Sequence, residues 1–166
     1  MVRFMMDYSL DQLTLFHDLS PEQRTLLNGM FHPIQEPAGT LLFEQGSPAE
    51  NLYIVVEGEV HIRYKPDDGP LLTVARVSTE GVVGWSATLG SPLYTSSAVC
   101  STDCKMLRVR GEDLRTLYAR HPDTGQQVLE RLAAVIAERL RNTHHHVIEL
   151  LQQGLRLDVS KSVSAR

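Results

Sequence analysis

Long apolar runs are missing from this 166-residue chain, and no stretch approaches the ~20 consecutive apolar residues needed to cross a bilayer. Its start also lacks the order of a secretory leader, so a cytoplasmic protein without membrane contact is expected. Cysteine is scarce. Cys100 and Cys104 are the only two, too few for a disulfide framework, a four-thiolate cluster or a zinc site closed by thiols alone. Buried, reduced thiols are the plain expectation, and a redox pair across a hairpin is the alternative. An excess of positive charge is missing too. With 16 Lys and Arg against 20 Asp and Glu, the formal net charge of −4 argues against a whole-surface nucleic-acid binder. The length excludes two full domains of ordinary size and predicts one domain plus an appendage.

What is there is strongly patterned. The segment "SLDQLTLFHDLSPEQRTLLNGM" is helical in period, with Ser20, Pro21 and Gln23 supplying an N-cap, an N1 proline and a capping-box partner, and Leu26, Leu27 and Met30 forming the inward stripe. From Gly39 the period changes to two. Short apolar runs follow, "TLLFEQG", "NLYIVVEG", "EVHIRYKPDDG", "LLTVARVSTEG", "VVGW", "YTSSAVCSTD" and "CKMLRVRG", divided by Gly46, Gly58, Gly69, Gly81 and Gly111. Strands this short and closely spaced predict a sandwich or barrel that hides its own edges.

After Gly111, "EDLRTLYARHPD" reads as a helix ended by Pro122. A longer helix should run from Asp123, as N-cap, to about Gln153, with Gly154 as its stop and 155–166 as a disordered tail. Leu129, Leu132, Ile136, Leu140, Val147 and Leu151 recur at helical spacing over about thirty residues, more than one face of so small a core requires. A homodimer through residues 123–153 is therefore expected.

The stretches "LSPEQRTLL", "GTLLFEQGSPAENLYIVVEGEVHIRY", "GVVGW" and "CKMLRVRGEDLRTL" resemble the cyclic-nucleotide-binding domain of Crp/Fnr-type regulators, with Gly39, Phe43, Gly46, Tyr53, Gly58 and Gly84 in register. The resemblance implies a mainly β fold with flanking α: a double-stranded β-helix, or jelly roll, at 10–122, followed by the long dimerisation helix at 123–154. It also implies a ligand site inside the roll, at a loop and short helix matching residues 84–98, where backbone N–H groups favour an anion.

In the family a Glu just after the loop glycine accepts from the ribose hydroxyl, and an Arg near the loop end pairs with the cyclic phosphate. Here Trp85 stands at the first position and, allowing one inserted residue, Ser96 at the second. Each lost contact removes roughly 1.5 to 3 kcal/mol, together on the order of 10² to 10⁴ in affinity. An indole also tends to fill the space a ribose needs. Cyclic AMP or cyclic GMP of the usual affinity is thus not expected. No cofactor is expected either. The candidate ligand-binding residues are Gly84, Trp85, Ser86, Ala87, Thr95, Ser96 and Ser97, with Thr88 as a further hydroxyl, and they suit a weakly held anion or a neutral polar ligand. The resemblance adds Thr143, where some members present a hydroxyl to the purine; the plain alternative is a threonine bonded to its own helix.

Other chemistries fit poorly. His144, His145 and His146 are consecutive helix residues pointing roughly 100° apart, so they cannot share one ion within a chain. A cupin-type metal enzyme needs several histidines converging from neighbouring strands, and only His61 lies in one of the expected strands. Nucleophile elbow, paired-acid and Walker motifs are missing. Crp/Fnr regulators continue into a helix-turn-helix, which the dozen or so residues after Gly154 cannot form, so no direct DNA binding is expected. A non-enzymatic sensor that signals to a protein partner is the reading. Its rivals are an interaction module with its pocket plugged by Trp85, and a sensor subunit acting with a DNA-binding partner.

Overall fold

A computed structural model gives the structure of the chain. Residues 9–87 and 91–163 are described, with side chains except for those of 146, 150 and 157–163. The chain divides by internal contacts into a unit ending at Leu132 and a second unit from Ala133 onward.

In the first unit eight strands form two antiparallel four-stranded sheets. They are β1 (His32–Glu36), β2 (Leu41–Phe43), β3 (Asn51–Glu57), β4 (Val60–Tyr64), β5 (Leu72–Val77), β6 (Val82–Val83), β7 (Ser97–Cys100) and β8 (Cys104–Arg110). The sheets run β1-β8-β3-β6 and β2-β7-β4-β5, so the chain passes repeatedly from one layer to the other, as a jelly roll does. Alternation sets which residues meet between the layers. Tyr53 and Val55 of β3, Val60 and Ile62 of β4, Ala98 and Cys100 of β7 and Met106 of β8 share one buried cluster with Phe43 and Tyr94. Leu52 and Ile54, on the other face of β3, are buried as well.

Local chemistry explains the flanking elements. Two 3-10 turns, Leu10–Gln12 and Thr14–Phe16, precede α1 (Pro21–Asn28), which opens with the expected reciprocal capping box between Ser20 and Gln23. The N-terminal segment is thus less continuous than its period suggests, and of the expected stripe Leu27 is fully buried while Leu26 and Met30 are only half-buried. Strand β1 is an element the sequence pattern does not announce. It carries Pro33 and a largely exposed face, both tolerated because β1 is an edge strand paired only with β8.

Helix α2 spans Gly111–Arg120 and α3 spans Pro122–Val163. Two helix boundaries differ from expectation. Pro122 takes the first helical position, leaving Asp123 inside the first turn and not at the N-cap. Gly154 does not end α3: it has no left-handed φ, a glycine inside a helix costs only about 1 kcal/mol, and helix-forming Leu and Arg residues follow it. The helix therefore takes in 155–163 of the expected tail, and 164–166 lie outside the described residues. Val128 and Leu132 are buried in the first unit, so the opening turns of α3 belong to the roll. Within the second unit Leu140, Val147, Ile148, Leu151 and Leu155 are exposed. No helix among the described residues is long and apolar enough to cross a membrane.

Candidate functional site

The segment 84–98 begins on a glycine that no other residue replaces cheaply. Gly84 has φ +78, and a Cβ there would stand 2.7 Å from the Asn51 carbonyl oxygen and 3.2 Å from the Phe43 ring. The chain then forms a single 3-10 turn, Trp85–Ala87, closed by Ala87 N–H donating to the Gly84 carbonyl at 3.1 Å. Gly84 and Ala87 are buried, while Trp85 and Ser86 are half-buried. Thr88 lies outside the described residues.

Past this turn the backbone runs alongside residues 45–51. Ala49 N–H donates to the Pro92 carbonyl, Tyr94 N–H to the Ser47 carbonyl, Gly46 N–H to the Tyr94 carbonyl, and Gln45 N–H to the Ser97 hydroxyl at 2.8 Å. Tyr94 is the central feature, and the sequence reading missed it. Its ring stacks on Phe43 at 3.8 Å between centroids, and its hydroxyl donates to the Asn51 carbonyl at 2.6 Å and accepts the Asn51 N–H at 2.9 Å. Burial pushes the Tyr94 phenol above its ordinary value, and burial does the same to Tyr53, which stacks on Phe43 from farther off. The aromatic residue of the segment 84–98 that joins the buried cluster of Phe43 and Tyr53 is thus Tyr94, 5 % exposed, while Trp85, which the plugged-pocket reading expected there, is half-buried. A signal was present in the sequence: tyrosine among small polar residues just before a strand has an apolar body to bury and a hydroxyl that then needs a partner.

The remaining expected residues are less closely gathered. Thr95 is exposed, Ser96 and Ser97 are half-buried, and the hydroxyls of Ser86, Thr95 and Ser96 have no partner among the described residues. Arg63 of β4, half-buried, is the register partner of Ser97 and a positive charge that the linear motif does not include. Thr143 belongs to the second unit, where its hydroxyl donates to the Arg139 carbonyl one turn back at 2.9 Å.

The other sequence features resolve into ordinary packing. Cys100 and Cys104 are free and buried, and the Cys104 thiol donates to the Glu59 and Thr102 carbonyls. Burial first, then the neighbouring Cys104, pushes the Cys100 thiol up to about 12, which keeps it protonated. His61 pairs with Glu59 at 2.7 Å, and that bond holds the Glu59 carboxyl below its ordinary value. His144 and His145 lie edge to face, and no group of three metal-ligating side chains occurs among the described residues. A surface cleft of about 540 Å³ lies at the far end of β8, between Glu36, Glu57, Asp103 and Lys105.

Similarity to known proteins follows the same outline. A family model for the cyclic nucleotide-binding domain matches residues 34–121. The chain is 27% identical over 146 residues to a CRP-like cAMP-activated global transcriptional regulator of Mycobacterium tuberculosis, covering 88% of this chain and 63% of that protein. It is 32% identical to the cyclic AMP receptor protein of Thermus thermophilus, covering 85% of this chain and 71% of the relative. The chain thus spans less than two thirds of the length of the first of these relatives. Among solved structures, a cyclic nucleotide-binding domain from Methylobacillus flagellatus superposes with a TM-score of 0.74 at 23% identity, over 84% of this chain and 78% of that one. That likeness concerns the fold. The roll of two four-stranded sheets, the glycine-initiated turn at residue 84 and these similarities together place the chain in the cyclic nucleotide-binding domain family, among the Crp/Fnr-type regulators.

Proposed function

We propose that the chain is a non-enzymatic regulatory module whose cassette, residues 84–98, does not recognise cyclic AMP or cyclic GMP in the family's usual way. The observation that carries this reading is the pairing of an uncharged cassette with a filled interior. Trp85 and Ser96 supply neither a carboxylate for ribose nor a guanidinium for phosphate, and the stacked rings of Tyr94 and Phe43 both border Gly84, with the Tyr94 hydroxyl committed to Asn51. Two missing charge-assisted contacts correspond to on the order of 10² to 10⁴ in affinity. The open hydroxyls of Ser86 and Ser96 and the nearby Arg63 support a weakly bound anion or neutral polar ligand instead. Such a ligand would act by favouring one packing of the roll against its helices, to be read by a protein partner.

The exposed Leu140, Val147, Leu151 and Leu155 recur at intervals of seven and four, which supports a second copy as the partner of α3. The burial of Tyr94 also favours a second reading, an interaction module whose pocket is closed by its own side chain. Titration calorimetry with cyclic AMP and cyclic GMP at millimolar concentration tests the main reading: little or no heat is expected, and tight saturable binding would overturn it. If neither nucleotide nor small anions bind the wild type while Tyr94→Ala gains binding, the plugged module is favoured.

A further inference from the structure

From the contacts around Ala87 we infer that Arg115 is the positioning residue that ties the cassette turn to the α2–α3 pair, so that the two change place together. It rests on the regulatory reading above, and it extends that reading by naming the contact through which the cassette and the helices act on each other.

Ala87 ends the 3-10 turn that starts at Trp85 and is 1% exposed. Carbonyls at the end of such a turn have no partner within it, and a buried one needs a donor from elsewhere. Arg115 of α2 provides it, its guanidinium Nη1 donating to the Ala87 carbonyl at 3.0 Å across 28 residues of sequence. The first residue of α2 touches the same group: a Cβ on Gly111 would stand 2.3 Å from the Ala87 oxygen. That close approach only pushes, because hard-core contact resists compression and offers nothing against separation. The Arg115 hydrogen bond pulls. With both present, displacement of the turn in either direction reaches α2.

From α2 the displacement has little slack in which to be absorbed. A Cβ on Gly125 would lie 2.6 Å from the Tyr118 Cα, so α2 and the first turns of α3 pack backbone against backbone. Helices in such direct contact shift as one body, since a close-packed interior has no compressible layer between them. The opening turns of α3 are held in addition by Gln23, which donates to Thr124 and Gln127, and by Arg131, which donates to the Leu15 carbonyl and pairs with Asp18. Arg115 itself borders a cavity of about 230 Å³ lined by Leu114, Tyr118 and Leu129. Arg115 is also an exposed residue, so water can solvate its guanidinium when it leaves Ala87, as a switchable contact requires.

The chain carries its own reporter, because its single tryptophan, Trp85, opens the turn in question. In the full chain without any ligand, Gly125→Ala forces α2 and α3 apart and should shift the Trp85 emission maximum; Leu129→Ala, a milder change beside the same cavity, serves if Gly125→Ala does not fold. The shift should fall to less than half when Arg115 is also replaced by Ala, the remainder being the push that Gly111 still transmits. It should fall equally with Arg115→Met, which keeps the apolar stem and loses only the donors. A shift undiminished in either Arg115 background, or none in the wild-type background, overturns the assignment. Calorimetry with cyclic nucleotides bears only on the ligand reading, so the two failures are distinguishable.

Discussion

Replacing Tyr94 by Phe deletes one oxygen, and the structure specifies what that oxygen holds. It donates to the Asn51 carbonyl and accepts the Asn51 N–H, within a side chain 5 % exposed. Both backbone groups lose their partner in Tyr94→Phe, while the ring can remain stacked on Phe43. An orphaned buried polar group costs about 1 to 3 kcal/mol, and the two share one site, so the expected loss is roughly 2 to 4 kcal/mol. That corresponds to about 30- to 900-fold in the unfolding equilibrium, a large part of an ordinary domain's stability. Urea titration followed by circular dichroism should show a lower midpoint at unchanged slope. Tyr94→Ala, which also removes the ring, should cost about 3 to 5 kcal/mol. A loss below about 0.5 kcal/mol for Tyr94→Phe would refute the reasoning: water would then satisfy Asn51, and the space beside Gly84 would be a wet pocket.

Three further expectations follow from the same contacts. Gly84→Ala combines a left-handed φ, about 1 to 2 kcal/mol, with a Cβ driven against the Asn51 carbonyl, about 1 to 3 kcal/mol, so thermal unfolding should report a loss of roughly 2 to 5 kcal/mol; a change under about 1 kcal/mol contradicts the geometry. Glu80 accepts from the Thr14 hydroxyl and N–H, and these bonds hold its carboxyl below the ordinary 4.5. Its stabilisation is then complete above that value and lost as pH falls through the lower folded value, so Glu80→Gln should be less acid-sensitive than wild type in urea midpoints compared at neutral and acid pH. The Cys100 thiol, pushed up to about 12, contributes stability that is full below the ordinary 9 and declines as pH rises toward 12. A thiol reagent at neutral pH should therefore modify the native protein far more slowly than the urea-unfolded chain, and equal rates would contradict its burial.

Where a structural signal is local, residues announce it. The Ser20–Gln23 capping box stands as its spacing predicts because both partners lie within one turn. Strands β4 and β7 follow from period-two burial between turn residues, while β3 is a short apolar run buried on both faces. Strand β1 escaped because it exists by virtue of β8, more than sixty residues away in Cα register (His32 with Arg108). Helix α3 outran Gly154 because a glycine's preference of about 1 kcal/mol yields readily to the helix formers around it. The cassette divides in the same way. Its glycine and its uncharged positions are legible one residue at a time, whereas the roles of Tyr94 and Arg115 depend on partners 43 and 28 residues distant.

By itself, then, the sequence determined the alternation that makes a two-layered roll, and the chemistry of the cassette, since Trp85 and Ser96 carry no charge in any conformation. Only the tertiary structure decided which aromatic residue of the cassette joins the buried cluster of the roll. The turn at Gly84 leaves Trp85 half-buried, while the pairing of residues 92–97 with 45–51 brings Tyr94 onto Phe43 and Asn51. Burial of a side chain is a property of where two distant segments meet, and that meeting is set by closure of the whole roll.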